Sequence, residues 1–129
     1  MYKEVIISII IVIMILGLNF ITQNYTNNTV SQMKEYLDNT RGELTKEAQD
    51  YDMASKKADE TLKKWEELDD KIALYVEHDE IEKVKTAITS MQSFIEMKDD
   101  SQAVDSIDRC KYILEHIAQK EEFSIDNIF

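Results

Sequence analysis

Proline is absent from this chain, and among its 129 residues only two are glycine and one is cysteine. Strand-rich folds need turn residues at short intervals, so the absence of proline and near-absence of glycine exclude most β architectures. Two glycines, Gly17 and Gly42, also cannot supply a Gly-rich phosphate loop. A single cysteine, Cys110, forms no internal disulfide, and cysteine usage therefore says nothing about redox compartment. Positive charge is in short supply as well. Fifteen Lys and Arg stand against 26 Asp and Glu, a formal net charge of −11. A surface of that sign repels phosphate backbones, which excludes nucleic acid as a partner, and it keeps clear of anionic lipid headgroups.

One absence is local. Val5 to Ile21 reads VIISIIIVIMILGLNFI and carries no charge at all. As a helix these residues reach about 25 Å, near the short end of what crosses a hydrocarbon core. In lipid only a helix satisfies the backbone of such a β-branched run. A cleaved signal peptide and a soluble core helix are the competing readings. The stretch is long for a signal, and Asn19-Phe20-Ile21-Thr22-Gln23 offers no small-residue cleavage pattern. Lys3 and the α-amino group precede the segment, and no Lys or Arg follows until Lys34. The positive-inside rule then puts residues 1–4 in the cytoplasm, the anchor at 5–21 in the cell membrane, and the rest outside. The sequons Asn24-Tyr25-Thr26 and Asn27-Asn28-Thr29 read as a polar stretch leaving the membrane.

What is abundant is helical periodicity. One heptad column is apolar throughout: Val30, Leu37, Leu44, Tyr51, Ala58, Trp65 and Ile72. The adjoining column is weaker, with Thr40, Glu47 and Thr61 in it. This pattern predicts one helix from about Val30 to Val76: a thin, exposed stalk over residues 22–57, with a break near Gly42, then a broader apolar face. Asp79 and Glu82 predict a capping box opening a second helix on Ile81, Val84, Ile88, Met91 and Ile95. Lys98-Asp99-Asp100-Ser101 divides it from a third, carrying Ala103, Ile107, Cys110, Leu114 and Ile117 and ending near Lys120. The fold class expected is all-α: a transmembrane helix, a stalk, an up-down-up three-helix bundle over 58–120, and an apolar tail over 121–129. That topology gathers Glu77, His78, Asp79, Glu80, Glu115, His116 and the tail at the tip farthest from the membrane.

Chemistry is thinly represented. His78 and His116, with nearby carboxylates, are the candidate metal ligands, although no tight His-x-x-x-His spacing supports them. The bland reading is a turn histidine and a helix C-terminal histidine favoured by the helix dipole. Trp65 reads as core, Cys110 as a small buried hydrophobe, and the Glu66-Glu67 and Asp69-Asp70 run as a solvated face with ion pairs. The last seven residues, FSIDNIF, hold four large apolar side chains, which either cap the bundle or dock a partner. No nucleophile with a base, no phosphate cradle and no concave carboxylate pair is present, so an enzyme is not expected, nor a cofactor.

Trp65, then the His-containing turn Tyr75-Val76-Glu77-His78-Asp79-Glu80-Ile81, then Leu114-Glu115-His116-Ile117 and the terminal Asn127-Ile128-Phe129 resemble the bacterial family called domain of unknown function 4363. The resemblance covers nearly the whole chain. It implies a bacterial cell-surface location, a membrane-protein partner and no assigned activity, with Trp65, His78, His116 and Asn127 to Phe129 as signature positions. The function expected is a membrane-anchored, extracytoplasmic interaction module that binds another envelope or membrane protein. His78, His116, Asn127, Ile128 and Phe129 are its candidate partner-binding residues. The alternatives are a coiled-coil spacer that homodimerises through the membrane helix and stalk, and a metal-sensing domain at His78 and His116.

Overall fold

The computed structural model describes the backbone of residues 1–128 and the side chains of residues 1–122. Four helices follow one another: α1 (Tyr2–Thr45), α2 (Tyr51–Ile72), α3 (His78–Glu96) and α4 (Asp100–Ile128). The all-helical class, the long apolar N-terminal helix and a helical bundle are all present. The route of the chain between them differs from the sequence reading.

No stalk stands between the apolar segment and the bundle. The expected long helix stops at Thr45, and the chain reverses over residues 46–50. Asp50 caps α2, its Oδ1 accepting the Met53 backbone N–H at 3.0 Å. The C-terminal half of α1 is thereby the first helix of a four-helix bundle, and Val30, Met33, Leu37 and Leu44 are buried in it. The reversal escapes notice in the sequence because it keeps heptad phase. Leu44 and Tyr51 lie seven residues apart on either side of the turn, as they would on one continuous helix. Gly42 is an ordinary α1 residue, three positions before the helix ends.

Threonines complete the apolar stripe on α1 and α2. Thr26, Thr40 and Thr61 are buried, and each hydroxyl donates to the carbonyl four residues back, at 2.8, 3.0 and 2.8 Å. With the hydroxyl satisfied inside its own helix, the methyl group is free to pack.

The bundle is antiparallel and closed into a ring. Each helix packs on the next and α4 returns to α1. Lys57–Glu43 and the Tyr75–Thr26 hydrogen bond set α2 against α1. Gln92–Asp59 sets α3 against α2, and Lys120–Glu77 sets α4 against α3. Lys34–Glu115, Asp38–Lys111 and Arg41–Asp108 hold α4 to α1 in one constant register. The faces expected of α3 and α4 are the buried ones: Ile81, Val84, Ile88, Met91 and Ile95 meet Ala103, Ile107, Cys110, Leu114 and Ile117.

Helix ends are local chemistry. Lys98, the one non-glycine residue at positive φ (56°) among the described residues, closes α3 in a Schellman motif, with Lys98 N–H on Ile95 C=O and Asp99 N–H on Phe94 C=O. Asp99 then caps α4 by accepting from Gln102 N–H at 3.2 Å. The capping box expected of Asp79 and Glu82 does not form, because α3 begins earlier, at His78, with Glu77 as its uncapped N-terminal residue. Nor does the third bundle helix end near Lys120. The α4 backbone runs on through Ile128, so residues 121–128 extend the helix rather than forming a separate tail.

One more helix in the bundle inverts every later direction. With α1 running away from the apolar segment, α2 returns, α3 runs away and α4 returns. The α2–α3 turn and the C-terminal end of α4 therefore lie at the base, beside the apolar segment. The turns at 46–50 and 97–99 form the tip. The sequence reading had these ends exchanged.

Candidate functional site

The base gathers the histidines and their carboxylates, as the sequence suggested, although at the opposite end of the bundle. His78 opens α3 and is largely exposed, its Nε2 3.7 Å from Glu82 Oε1. His116 on α4 places Nδ1 3.7 Å from Glu80 Oε2. Glu80 is only 8% exposed, an unusual depth for a carboxylate, and Lys83 Nζ stands 3.6 Å from its other oxygen. Lys120 and Glu77 pair at 2.9 Å, which holds the Glu77 carboxyl below its ordinary range and raises the Lys120 ammonium. The two imidazoles thus stand beside two different carboxylates, Glu82 and Glu80, two residues apart on α3. Among the described residues no three His, Cys, Asp or Glu side chains converge to hold a metal ion. Asn127 and Ile128 lie on the α4 backbone with side chains outside the described residues, and Phe129 lies outside them altogether.

Two features of the base were not legible beforehand. The Tyr75 hydroxyl meets Thr26 Oγ1 at 2.7 Å and the Thr22 carbonyl at 3.2 Å, clasping the α2–α3 turn to α1. Beside it Leu74 is 87% exposed, although Tyr75 and Val76 are half-buried. No periodicity reports on a turn, so nothing in the sequence separated Leu74 from its neighbours.

The tip is closed differently. Asp100 accepts from both the Tyr51 hydroxyl and the Gln49 side-chain amide, and Gln49 also donates to the Leu44 carbonyl at 2.9 Å. Those donors hold the Asp100 carboxyl below its usual range, and the Asp100 carboxylate in turn pushes the Tyr51 hydroxyl up.

On the flank between α3 and α4 runs a shallow groove of about 590 Å³ lined by Thr86, Ala87, Ser90, Arg109, Tyr112 and Ile113. Tyr112 is 69% exposed, and Arg109 beside it is tied only to Asp105 on its own helix, at 2.6 Å. The groove is open to solvent. Cys110 faces the core instead, where burial pushes its thiol up to about 12 and leaves it inert.

Fold and surface together define an all-helical protein with a single N-terminal helix long and apolar enough to cross a membrane, continuous with an antiparallel four-helix bundle. Within that class the chain belongs to the family described as Domain of unknown function (DUF4363), whose model matches residues 20–128. The matched span opens where the apolar run ends and takes in all four bundle helices, so the residues once read as stalk are part of the family's domain. No curated protein and no solved structure matches the chain.

Proposed function

We propose that this protein is a membrane-anchored interaction module, without catalytic activity of its own, which presents the α3/α4 flank to another membrane or envelope protein. The observation that carries the reading is the continuity of α1. Forty-four residues run as one helix from Tyr2 to Thr45, so the apolar segment and the bundle share a single rigid rod. Within the apolar segment, Val5 to Ile21, every large apolar side chain is exposed, and the rest of the chain buries none of them. Each such side chain costs about 1.5–3 kcal/mol to keep in water, a penalty lipid removes. A bundle fused to its anchor without a linker is held at a fixed height and orientation, which suits an element that must meet a partner in the same membrane.

Lys3 on one side and the absence of Lys and Arg up to Lys34 on the other favour a cytoplasmic N-terminus and an extracytoplasmic bundle. Tyr112 and Arg109 are of the residue types that most often anchor protein contacts, and Tyr112 is the exposed aromatic of the bundle among the described residues. The spacer reading fares less well, since Val30, Met33, Leu37 and Leu44, the seam of its coiled coil, are buried by α2 and α4.

In intact cells a cysteine in place of Met97, exposed at the tip, should react with a membrane-impermeant thiol reagent. A photo-crosslinking residue at position 112 should then capture a membrane protein that the same residue at exposed position 60 on α2 does not. Labelling only after lysis would reverse the orientation. No capture from position 112 would remove the α3/α4 flank as the docking face, and capture of a second copy would favour a homodimer.

A further inference from the structure

We propose that the base of the bundle enters the bilayer surface, with Leu74 of the α2–α3 turn seated in the lipid interface beside α1. This rests on reading α1 as a membrane anchor, but it does not depend on which side the bundle occupies.

The register comes from Tyr75. Its bonds to Thr22 and Thr26 hold the turn level with the first α1 turn beyond Ile21. The height of the lipid comes from length. Seventeen uncharged residues, Val5 to Ile21, span about 25 Å as a helix, whereas a hydrocarbon core is about 30 Å thick. Lys3 and Glu4 bound the run on one side while α1 carries no charge up to Lys34 on the other, so the missing length, about 5 Å or one helical turn, is taken on the Thr22 side and puts the edge of the hydrocarbon at the level of the Tyr75 clasp. The α1 residues in that interval, Thr22, Gln23 and Asn24, bear no charge. An adjacent turn at that height meets lipid unless something displaces it.

The turn is built to tolerate this. The backbone N–H groups of Leu74, Tyr75 and Val76 are already bonded to carbonyls of α2, at 3.3, 3.1 and 2.8 Å, so dehydrating them leaves no donor unpaired. Among the described residues Leu74 is the most exposed large apolar side chain of the bundle, and it follows the end of a helix that runs toward the apolar segment of α1. Immediately beyond, Glu77 is paired with Lys120 and marks the depth limit, since charges stay in the headgroup region. With Asp79, Glu121 and Glu122 also at this end, attraction to anionic lipid is not part of the contact. A zwitterionic surface is the occupant that fits.

The full chain in phosphatidylcholine vesicles tests this with a polarity-sensitive fluorophore on single introduced cysteines, L74C, M97C or V12C, read against acyl-chain spin-labelled lipid. Cys110 is buried and takes no label in the folded protein. The expected result is loss of most fluorescence at positions 12 and 74 and none at 97. Quenching at 12 with position 74 matching 97 would overturn the inference and leave the anchor intact. A label at 74 that is shifted to the blue but not quenched would mean a second copy covers Leu74, which also overturns it. Absence of quenching at 12 would overturn the anchor and the inference together.

Discussion

Three buried threonines show how polar side chains enter this core. Thr26, Thr40 and Thr61 return their hydroxyls to their own helices, so each presents a methyl where a heptad position calls for an apolar group. Trp65, fully buried, makes no such return, and its Nε1–H has no partner. The site absorbs that cost against the large apolar area the ring buries. Gly42 is the residue with room to improve. A Cβ built there meets nothing within 4 Å, and its φ is helical. Gly42→Ala should therefore stabilise the bundle by about 1 kcal/mol, seen as a raised melting temperature. A lowered one would mean α1 needs flexibility at that point after all.

At the scale of elements, the tip and the α1/α4 seam are held by charge. The seam pairs are half-exposed and each contributes little, but together they set which residues of α4 face α1. The Asp100 cluster links the α1–α2 turn to the start of α4, and its effect has a definite sign. Hydrogen bonds from Tyr51 and Gln49 hold the Asp100 carboxyl below its unfolded value. Its contribution to stability is thus present above the ordinary carboxylate range and is lost as pH falls through the lowered folded value. Tyr51→Phe should unfold more readily than the parent at neutral pH, with the difference closing in strong acid. Denaturant titrations at the two pH values decide this. An unchanged gap in acid would show that Tyr51 acts through packing alone.

For the whole molecule, the decisive fact is that residues 30–44 belong to the bundle. Each helix contacts two neighbours, so no three of them enclose the core. Removing residues 30–55 from the chain should abolish cooperative thermal unfolding by circular dichroism, because it strips one wall and exposes Trp65, Ile107 and Leu114. A cooperative melt surviving that deletion would restore the three-helix unit that periodicity suggested. The same topology decides what His78 and His116 are near. With an odd number of bundle helices they would stand at the far tip, and with four they stand at the base.

By itself the sequence determined the all-helical class, the buried faces of α3 and α4, where those two helices meet, and that 5–21 is a span of lipid length. Composition and heptad spacing are local properties, and a 3.5-residue period survives whatever the chain does next. Only the tertiary structure decided direction. A turn that spans one heptad leaves the apolar column in phase, so Leu44 and Tyr51 look the same on a rod as on a hairpin. Which end of the bundle holds the histidines, and which end carries Leu74, followed from that one reversal. Neither is encoded in any window short enough to read by period.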